Sequence, residues 1–133
     1  MMIVNETRGF VISENSGIAN SLFSRLKGLM LSERRDLVLV SPREGIRESS
    51  IHMLFMRFPI DVIWLNSDMR VVDLKSKIPP FNPFAMRTWR IYRPRKPARY
   101  VIELGGGNLG ETRINDKVKF LYSNSRKSSH QPS

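Results

Sequence analysis

Residues 60–77 have the sequence IDVIWLNSDMRVVDLKSK, in which two apolar runs flank the triplet Asn66-Ser67-Asp68. Runs rich in β-branched and aromatic residues predict strands, and the Asn-Ser-Asp triplet predicts a turn between them. The stretch therefore predicts a β-hairpin, with one strand from Pro59 to Leu65 and a second from Arg70 to Lys75.

The sequence on both sides of this hairpin also favours strands. Further strands are predicted at residues 2–6, 9–13, 37–41, 51–55, 99–104 and 117–122. Five prolines fall between residues 78 and 97. Because proline interrupts both helices and central strands, this part of the chain is predicted to be a long excursion over the surface.

One segment has the periodicity of a helix. Ile18, Leu22, Leu26 and Leu29 recur at spacings of four, four and three residues, which places them on one helical face. The pattern predicts an α-helix near residues 19–30.

These elements predict a mainly β (α+β) fold, built as a small barrel or as two packed sheets of about seven strands with that one helix. The chain has 133 residues and a mass of 15.4 kDa, which suits one domain. We expect this domain to occupy residues 1–122. Residues 123–133, rich in serine and carrying Arg126 and Lys127, are predicted to form a disordered basic tail.

Composition excludes several classes of protein. There is no cysteine, which excludes thiol catalysis, cysteine-ligated zinc and iron–sulfur chemistry. The uninterrupted apolar runs at residues 37–40 and 62–65 are far shorter than the roughly 20 residues of a transmembrane helix. The first residues show no basic and apolar pattern typical of a secretory signal. We therefore expect a cytoplasmic protein with no transmembrane segment and no cofactor.

The positive charge is concentrated in one segment. The formal net charge is +10, and six of the cations lie between Met86 and Tyr100 without any acid. These cations alternate with aromatic residues, a mixture that binds phosphates and stacks on unpaired bases. The pattern predicts that residues 84–100 bind RNA or single-stranded DNA. The binding residues predicted there are Arg87, Trp89, Arg90, Tyr92, Arg93, Arg95, Lys96 and Arg99.

Other interpretations of this segment remain open. It is equally consistent with a solvated basic loop whose aromatic side chains cover the edge of the sheet. A third hypothesis is a protein–protein adaptor whose contact is formed by Phe81, Phe84, Trp89 and Tyr92. An anionic lipid surface is the weaker alternative, because Pro94 and Pro97 prevent an amphipathic membrane helix.

A second site is suggested by His52, the one histidine outside the tail. Strand alternation places Ser50 and His52 on one face, and Asp61 lies in the next strand. These three residues are candidates for the nucleophile, base and orienting acid of a small hydrolase. A structural pair of His52 and Asp61 that anchors the hairpin is the favoured interpretation, and a metal site formed with Glu103 is disfavoured.

Two further features concern the last strands. Gly105, Gly107 and Gly110 have the spacing of a dinucleotide-binding loop, but no helix is predicted to follow and no residue after Asp116 is acidic, so we interpret them as a connection between strands. Glu103 lies in an apolar run and would need a partner if buried, for which Arg25 is a candidate.

Four stretches in this order resemble one known family. They are R-x-x-G-L-M at residues 25–30, S-I-H-M-L-F-M-R-F-P-I-D-V at 50–62, V-V at 71–72, and V-I-E-L followed by glycine at 101–105. The chain resembles the domain of unknown function 192 of bacteria and archaea over residues 1–122. The resemblance implies a mostly β fold and no established activity. Its motif residues are Arg25, Gly28, Met30, His52, Met53, Pro59, Asp61 and Glu103.

The central block departs from a common bacterial form of this family. Where that form has aromatic-Trp-Met-Lys-Asn, this chain has Ile51-His52-Met53-Leu54-Phe55. A polar pair has become apolar, which weakens any site that depends on these two positions.

Overall fold

The computed structural model describes residues 1–20, 35–52, 58–80, 82, 84–86 and 91–122. This part of the chain is almost entirely β structure. Its strands are β1 (Met2–Asn5), β2 (Phe10–Ser13), β3 (Ser16–Asn20), β4 (Asp36–Gly45), β5 (Ile51–His52), β6 (Ile60–Leu65), β7 (Val71–Ile78), β8 (Ile91–Tyr92), β9 (Ala98–Leu104) and β10 (Val118–Leu121).

The largest sheet has five strands in the order β3-β4-β9-β6-β7. Strands β3 and β4 are parallel, and every other neighbouring pair in this sheet is antiparallel. Strand β9 lies at the centre, so its residues are flanked on both sides. Ile102, for example, pairs with Val38 of β4 and with Ile63 of β6.

A three-stranded sheet in the order β10-β1-β2 packs against this large sheet, and β5 pairs with β8 separately. One bridge between Arg70 and Lys117 connects the first two sheets. The mainly β prediction is confirmed, and of its two alternatives the described strands form packed open sheets rather than a closed barrel. They also exceed the expected seven, because β3 lies where the helix was predicted to begin and β8, with two residues, is too short to show a strand pattern.

The hairpin predicted at residues 60–77 is formed by β6 and β7. The side-chain Oδ1 of Asn66 accepts hydrogen bonds from the backbone N–H groups of Asp68 and Arg70. Met69 has a φ of 65°, in the left-handed region that such a turn requires. Asn66 therefore fixes the turn through its own side chain, as asparagine commonly does.

The predicted helix does not begin at residue 19. Ser16–Asn20 form β3, which pairs in parallel with Asp36–Val40 of β4. Pairing with a buried strand outweighs the helical pattern of apolar residues that starts at Ile18, so this segment forms a strand. Residues 21–34, where the rest of the predicted helix falls, and the predicted tail at 123–133 lie outside the described residues. In the described chain, no helix has the length and apolar character needed to cross a membrane.

The core lies on both faces of the five-stranded sheet. On one face is the first core cluster, which comprises Leu37, Leu39, Ile51, Phe58, Ile60, Val62, Trp64, Ile78, Tyr92, Ala98 and Val101. On the other is the second core cluster, which comprises Ile3, Ile12, Val38, Ile63, Leu65, Val71, Ile102, Leu104 and Val118. Strand alternation assigns successive residues to opposite faces, so both faces of the sheet are covered by apolar side chains.

A buried carboxylate joins the beginning and end of the domain. The Oδ2 atom of Asp116 accepts hydrogen bonds from the Asn5 side chain (3.0 Å), the Arg8 Nε (2.7 Å) and the Arg113 backbone N–H (2.8 Å). Burial alone raises the pKa of Asp116, but hydrogen bonds from Arg8, Asn5 and Arg113 outweigh burial and hold this pKa below its usual range. Asp116 therefore stabilises the contact between β1 and the segment before β10.

Candidate functional site

The basic segment predicted at residues 84–100 is described only in part. Arg87, Trp89 and Arg90 lie outside the described residues. Tyr92, in β8, is only 6 % exposed and packs in the first core cluster. Its ring contributes to the core, so the stacking surface that the sequence assigned to Tyr92 is not on the exterior.

The next three cations are exposed, and one of them is anchored. The backbone N–H of Arg95 donates to Oδ2 of Asp73 (3.0 Å), and its Nε lies 3.4 Å from Oδ1 of the same carboxylate. Asp73 is 1 % exposed, whereas the Arg95 side chain is 78 % exposed. Arg93 and Lys96 are exposed on either side. Asp73 therefore fixes the backbone of this turn and leaves neighbouring cations facing solvent.

Arg99, the last predicted binding residue, makes a hydrogen bond within the domain. It is half-buried in β9, and its Nε donates to the backbone carbonyl of Ser41 (2.6 Å). Nearby, Gly45 pairs with Ala98, which brings the exposed residue Arg43 to the same end of the sheet. The Arg43 Nε lies 3.6 Å from a carboxylate oxygen of Glu48.

Exposed apolar side chains precede the cations. Phe84 is 95 % exposed and Met86 is 78 % exposed. They lie at a turn in which Asn82 accepts two hydrogen bonds, from the backbone N–H of Phe84 to its side chain (2.9 Å) and from that of Ala85 to its carbonyl (3.0 Å). The turn thus presents a phenyl ring and a thioether to solvent.

The catalytic candidates have separate hydrogen-bond partners in the described part of the chain. Asp61 accepts backbone N–H groups on both oxygens, from Lys77 at 2.8 Å and from Leu109 at 2.9 Å. Ser50 donates through its Oγ to the carbonyl of Ile46 (2.7 Å). These contacts give Asp61 and Ser50 structural roles.

His52 itself lies in β5, where it pairs with Ile91. Its side chain is outside the description, so its proposed pairing with Asp61 stays a prediction.

Asp61 and Asp36 hold the glycine-rich loop after β9, a role that the sequence did not suggest for Asp36. Both residues pair with Leu104, so they flank it on one face of the sheet. Oδ1 of Asp36 accepts the N–H groups of Gly106 (2.9 Å) and Gly107 (3.0 Å). The loop is thus fixed around carboxylates, which suits a structural connection and not the binding of phosphate.

Glu103 has very different surroundings. It lies in β9 between Leu37 of β4 and Val62 of β6, on the face of the first core cluster. Its side chain makes no hydrogen bond or ion pair within the described chain. Desolvation by burial raises the pKa of Glu103 from 4.5 to about 7. Because Asp61 lies on the opposite face, the metal site that would combine it with Glu103 is not assembled.

Of the remaining motif residues, Pro59 is the one that lies in the described part of the chain. Four of these residues lie outside the described part of the chain, namely Arg25, Gly28, Met30 and Met53. Because Arg25 is the proposed partner of Glu103, that pairing stays a prediction. Pro59 is exposed immediately before β6, a position that suits a residue without a backbone N–H.

Known structures share this fold. A protein of unknown function from Novosphingobium aromaticivorans matches with a TM-score of 0.68 and 20 % identity, over 90 % of this chain and 82 % of that one. A Sinorhizobium meliloti protein, provisionally described as a transcription regulator, matches with a TM-score of 0.69 and 17 % identity, over 89 % of each chain. At such identities the likeness concerns the fold alone.

Closer relatives are archaeal proteins named UPF0127. One from Thermococcus gammatolerans is 45 % identical over 77 % of this chain and 62 % of its own length. The chain thus spans about three fifths of the first relatives that it matches. One from Pyrococcus horikoshii is 39 % identical over 90 % of this chain and 99 % of its own length. The model of the family DUF192, described as "Uncharacterized ACR", matches residues 4–120. The chain therefore belongs to the DUF192 family, which also carries the name UPF0127.

Proposed function

We propose that this protein is a binding module that takes single-stranded RNA or DNA on the basic segment at residues 84–100. The observation that supports this most directly is the anchoring of the segment by buried Asp73, beside which Arg93 and Lys96 are exposed. A turn with a fixed backbone presents cations to phosphates at less entropic cost than a mobile chain.

Charge and exposure favour a polyanion at this surface. Residues 86–100 contain six cations and no acid, so no carboxylate of the segment itself repels a phosphate. Arg95 is partly neutralised by Asp73, which leaves Arg93 and Lys96 as the cations with the greater expected contribution. Phe84, being 95 % exposed, offers a ring on which an unpaired base can stack.

Protein docking is a second candidate function for the same segment, and a specific observation favours it. Phe84 and Met86 are both large, apolar and exposed, and Ile91 is a further 51 % exposed. Exposed apolar side chains that form one patch are typical of a contact surface. This adaptor hypothesis predicts that the apolar side chains matter for binding and that the cations contribute little.

The test is a fluorescence-anisotropy titration of labelled single-stranded RNA, single-stranded DNA and duplex DNA at several salt concentrations. The variant removes both of these exposed cations, as Arg93→Ser with Lys96→Ser. Its matched control, Arg113→Ser with Lys119→Ser, removes the same charge from exposed positions in and before β10. Arg95 and Arg99 stay unchanged because their contacts within the fold would confuse the result.

We expect tighter binding of single strands than of duplex DNA, and a loss of affinity in the Arg93→Ser, Lys96→Ser variant alone. Since each phosphate contact on a single strand contributes about 0.7 to the slope of log affinity against log salt, losing two contacts lowers that slope by about 1.4. Equal losses in both double variants would refute it, because they would show an effect of net charge only. A Phe84→Ser variant that keeps all nucleic-acid affinity would remove base stacking at this residue from the proposal.

A further inference from the structure

The turn between β4 and β5 is fixed by side chains that donate to its backbone. Three serine hydroxyls donate to backbone carbonyls of this turn at 2.7–3.1 Å, namely those of Ser41, Ser49 and Ser50. The indole N–H of Trp64, which is fully buried, donates to the carbonyl of Ser49 (2.8 Å). Residues 45–50, which we call the serine-held turn, therefore present their outward side chains to a ligand at little entropic cost.

Two exposed arginines lie in this turn and in the strand before it. Arg47 belongs to the serine-held turn, and Arg43 lies near the end of β4. The Nε of Arg43 lies 3.6 Å from a carboxylate oxygen of Glu48, so part of its charge is neutralised. The side chain of Arg47 makes no hydrogen bond or ion pair within the described chain. Arg47 is therefore the better placed of the two to bind an external anion.

The two acids of this region have partners within the fold. The carboxylate of Glu44 accepts the backbone N–H of Ser67 in the hairpin turn (2.9 Å). The carboxylate of Glu48 lies so close to the backbone of Gly45 that a Cβ on this glycine would overlap it. These contacts, together with the ion pair to Arg43, reduce the repulsion that the two carboxylates exert on a phosphate near Arg47.

The serine-held turn lies beside the basic segment. Its first residue, Gly45, pairs with Ala98 of β9, and the Nε of Arg99 donates to a backbone carbonyl of β4 (2.6 Å). Arg47 follows Gly45 by two residues and Lys96 precedes Ala98 by two, so on antiparallel strands both extend from the same end of this pair. Two residues span at most about 7 Å and paired residues are about 5 Å apart, which places the Cα atoms of Arg47 and Lys96 within about 20 Å.

We propose that the nucleic-acid surface crosses from β9 to β4, so that Arg47 binds a further phosphate of the same single strand that Arg93 and Lys96 bind. This inference rests on the proposed function and adds to the interface a residue that lies outside the basic segment. The bound strand then contacts two segments with fixed backbones, one held by Asp73 and the other by the serine hydroxyls. Arg43 contributes less, because Glu48 shares its charge.

The probe is a fluorescein-labelled oligothymidylate of about twelve nucleotides, titrated with the protein at several salt concentrations. Arg47→Ser should lower its affinity about fivefold at about 0.1 M salt and reduce the slope of log affinity against log salt by about 0.7, as expected for one lost phosphate contact. Arg47→Lys keeps the charge and should bind nearly as the unmodified protein does. Arg113→Ser removes an exposed arginine before β10 and serves as the matched control, for which the affinity should change much less.

Adding Arg47→Ser to the Arg93→Ser, Lys96→Ser variant should lower the slope by about 2.1 in total, since three contacts are lost. An unchanged slope in Arg47→Ser, beside a loss in the Arg93→Ser, Lys96→Ser variant, would overturn this inference and leave the proposed function standing. Equal losses in Arg47→Ser and Arg113→Ser would also overturn it, because they would show an effect of net charge. Two oligonucleotides bound per protein would contradict a single continuous surface. An unmodified protein that does not bind the oligonucleotide would overturn both proposals.

Discussion

Replacing Glu103 by glutamine is expected to stabilise the protein at neutral and alkaline pH, although it removes a charge that the family motif includes. The reason is the position of the carboxyl between Leu37 and Val62, where no donor of the described chain compensates its ionisation. Glutamine has nearly the same shape and carries no charge. It therefore mimics the protonated form of Glu103.

The magnitude follows from the pKa of Glu103, which burial raises from 4.5 to about 7. At 1.36 kcal/mol for each pKa unit, ionisation of Glu103 costs the folded state about 3 kcal/mol. Below pH 4.5 the group is protonated in both states and has no effect. Between pH 4.5 and 7 the folded protein binds more protons than the unfolded chain, so this contribution to stability falls as pH rises.

The assay is urea unfolding of the unmodified protein and of Glu103→Gln at several pH values from 4 to 8. The difference in unfolding free energy should be near zero at the acid end and reach about 3 kcal/mol at the alkaline end. Asp68→Asn, at an exposed acid in the hairpin turn, should show no such trend. A difference that stays constant across this range would refute the reasoning, because it would mean that Glu103 ionises equally in both states.

Three other predictions concern the framework. Asp116→Ala should lower the unfolding free energy at pH 7 by about 2–4 kcal/mol, since three donors lose their acceptor. Hydrogen bonds outweigh burial and lower the pKa of Asp116. Its contribution to stability therefore persists above pH 3.8 and is lost as pH falls below that value. Gly105→Ala should cost about 1–3 kcal/mol in urea unfolding, because its Cβ would lie 2.6 Å from a backbone oxygen, whereas Gly106→Ala, with 3.6 Å to its nearest atom, should cost much less. Asp73→Asn should accelerate amide hydrogen exchange at Arg95, whose N–H donates to this carboxylate; unchanged exchange would show that the turn is held by other contacts.

Local patterns in the sequence were sufficient to predict the elements that depend on local chemistry. The β6–β7 hairpin is an example, since its turn is fixed by the side chain of Asn66 acting on residues two and four positions later. Strand β3 was missed for the opposite reason. Its stability comes from parallel pairing with β4, and that pairing leaves no mark on the spacing of apolar residues around Ile18.

The candidate site was harder to predict than the fold, because its side chains act over long separations in the chain. Asp36 is an ordinary acid at the start of a strand, and only the structure places it against the glycines some 70 residues later. Tyr92 alternates with arginines as a surface residue does, yet the pairing of β8 with β5 turns it into the core. The amino-acid composition identifies the cationic segment, whereas the strand pairing determines which of its side chains are exposed.

Strand β9 carries both an end of the basic segment and the carboxyl of Glu103. Arg99, Val101 and Glu103 lie on the same face, so about 13 Å of strand separates the basic end from the carboxyl. A polyanion is attracted to the basic end and is repelled by ionised Glu103 when it extends that far along the strand. Because Glu103 loses its charge below pH 7, a polyanion that reaches it would bind better in acid, whereas one confined to the basic end would not respond to the ionisation of Glu103. Measuring nucleic-acid affinity in the Glu103→Gln variant at neutral pH therefore decides whether the bound strand extends along β9 as far as Glu103: higher affinity means that it does, and unchanged affinity means that it ends nearer the basic end.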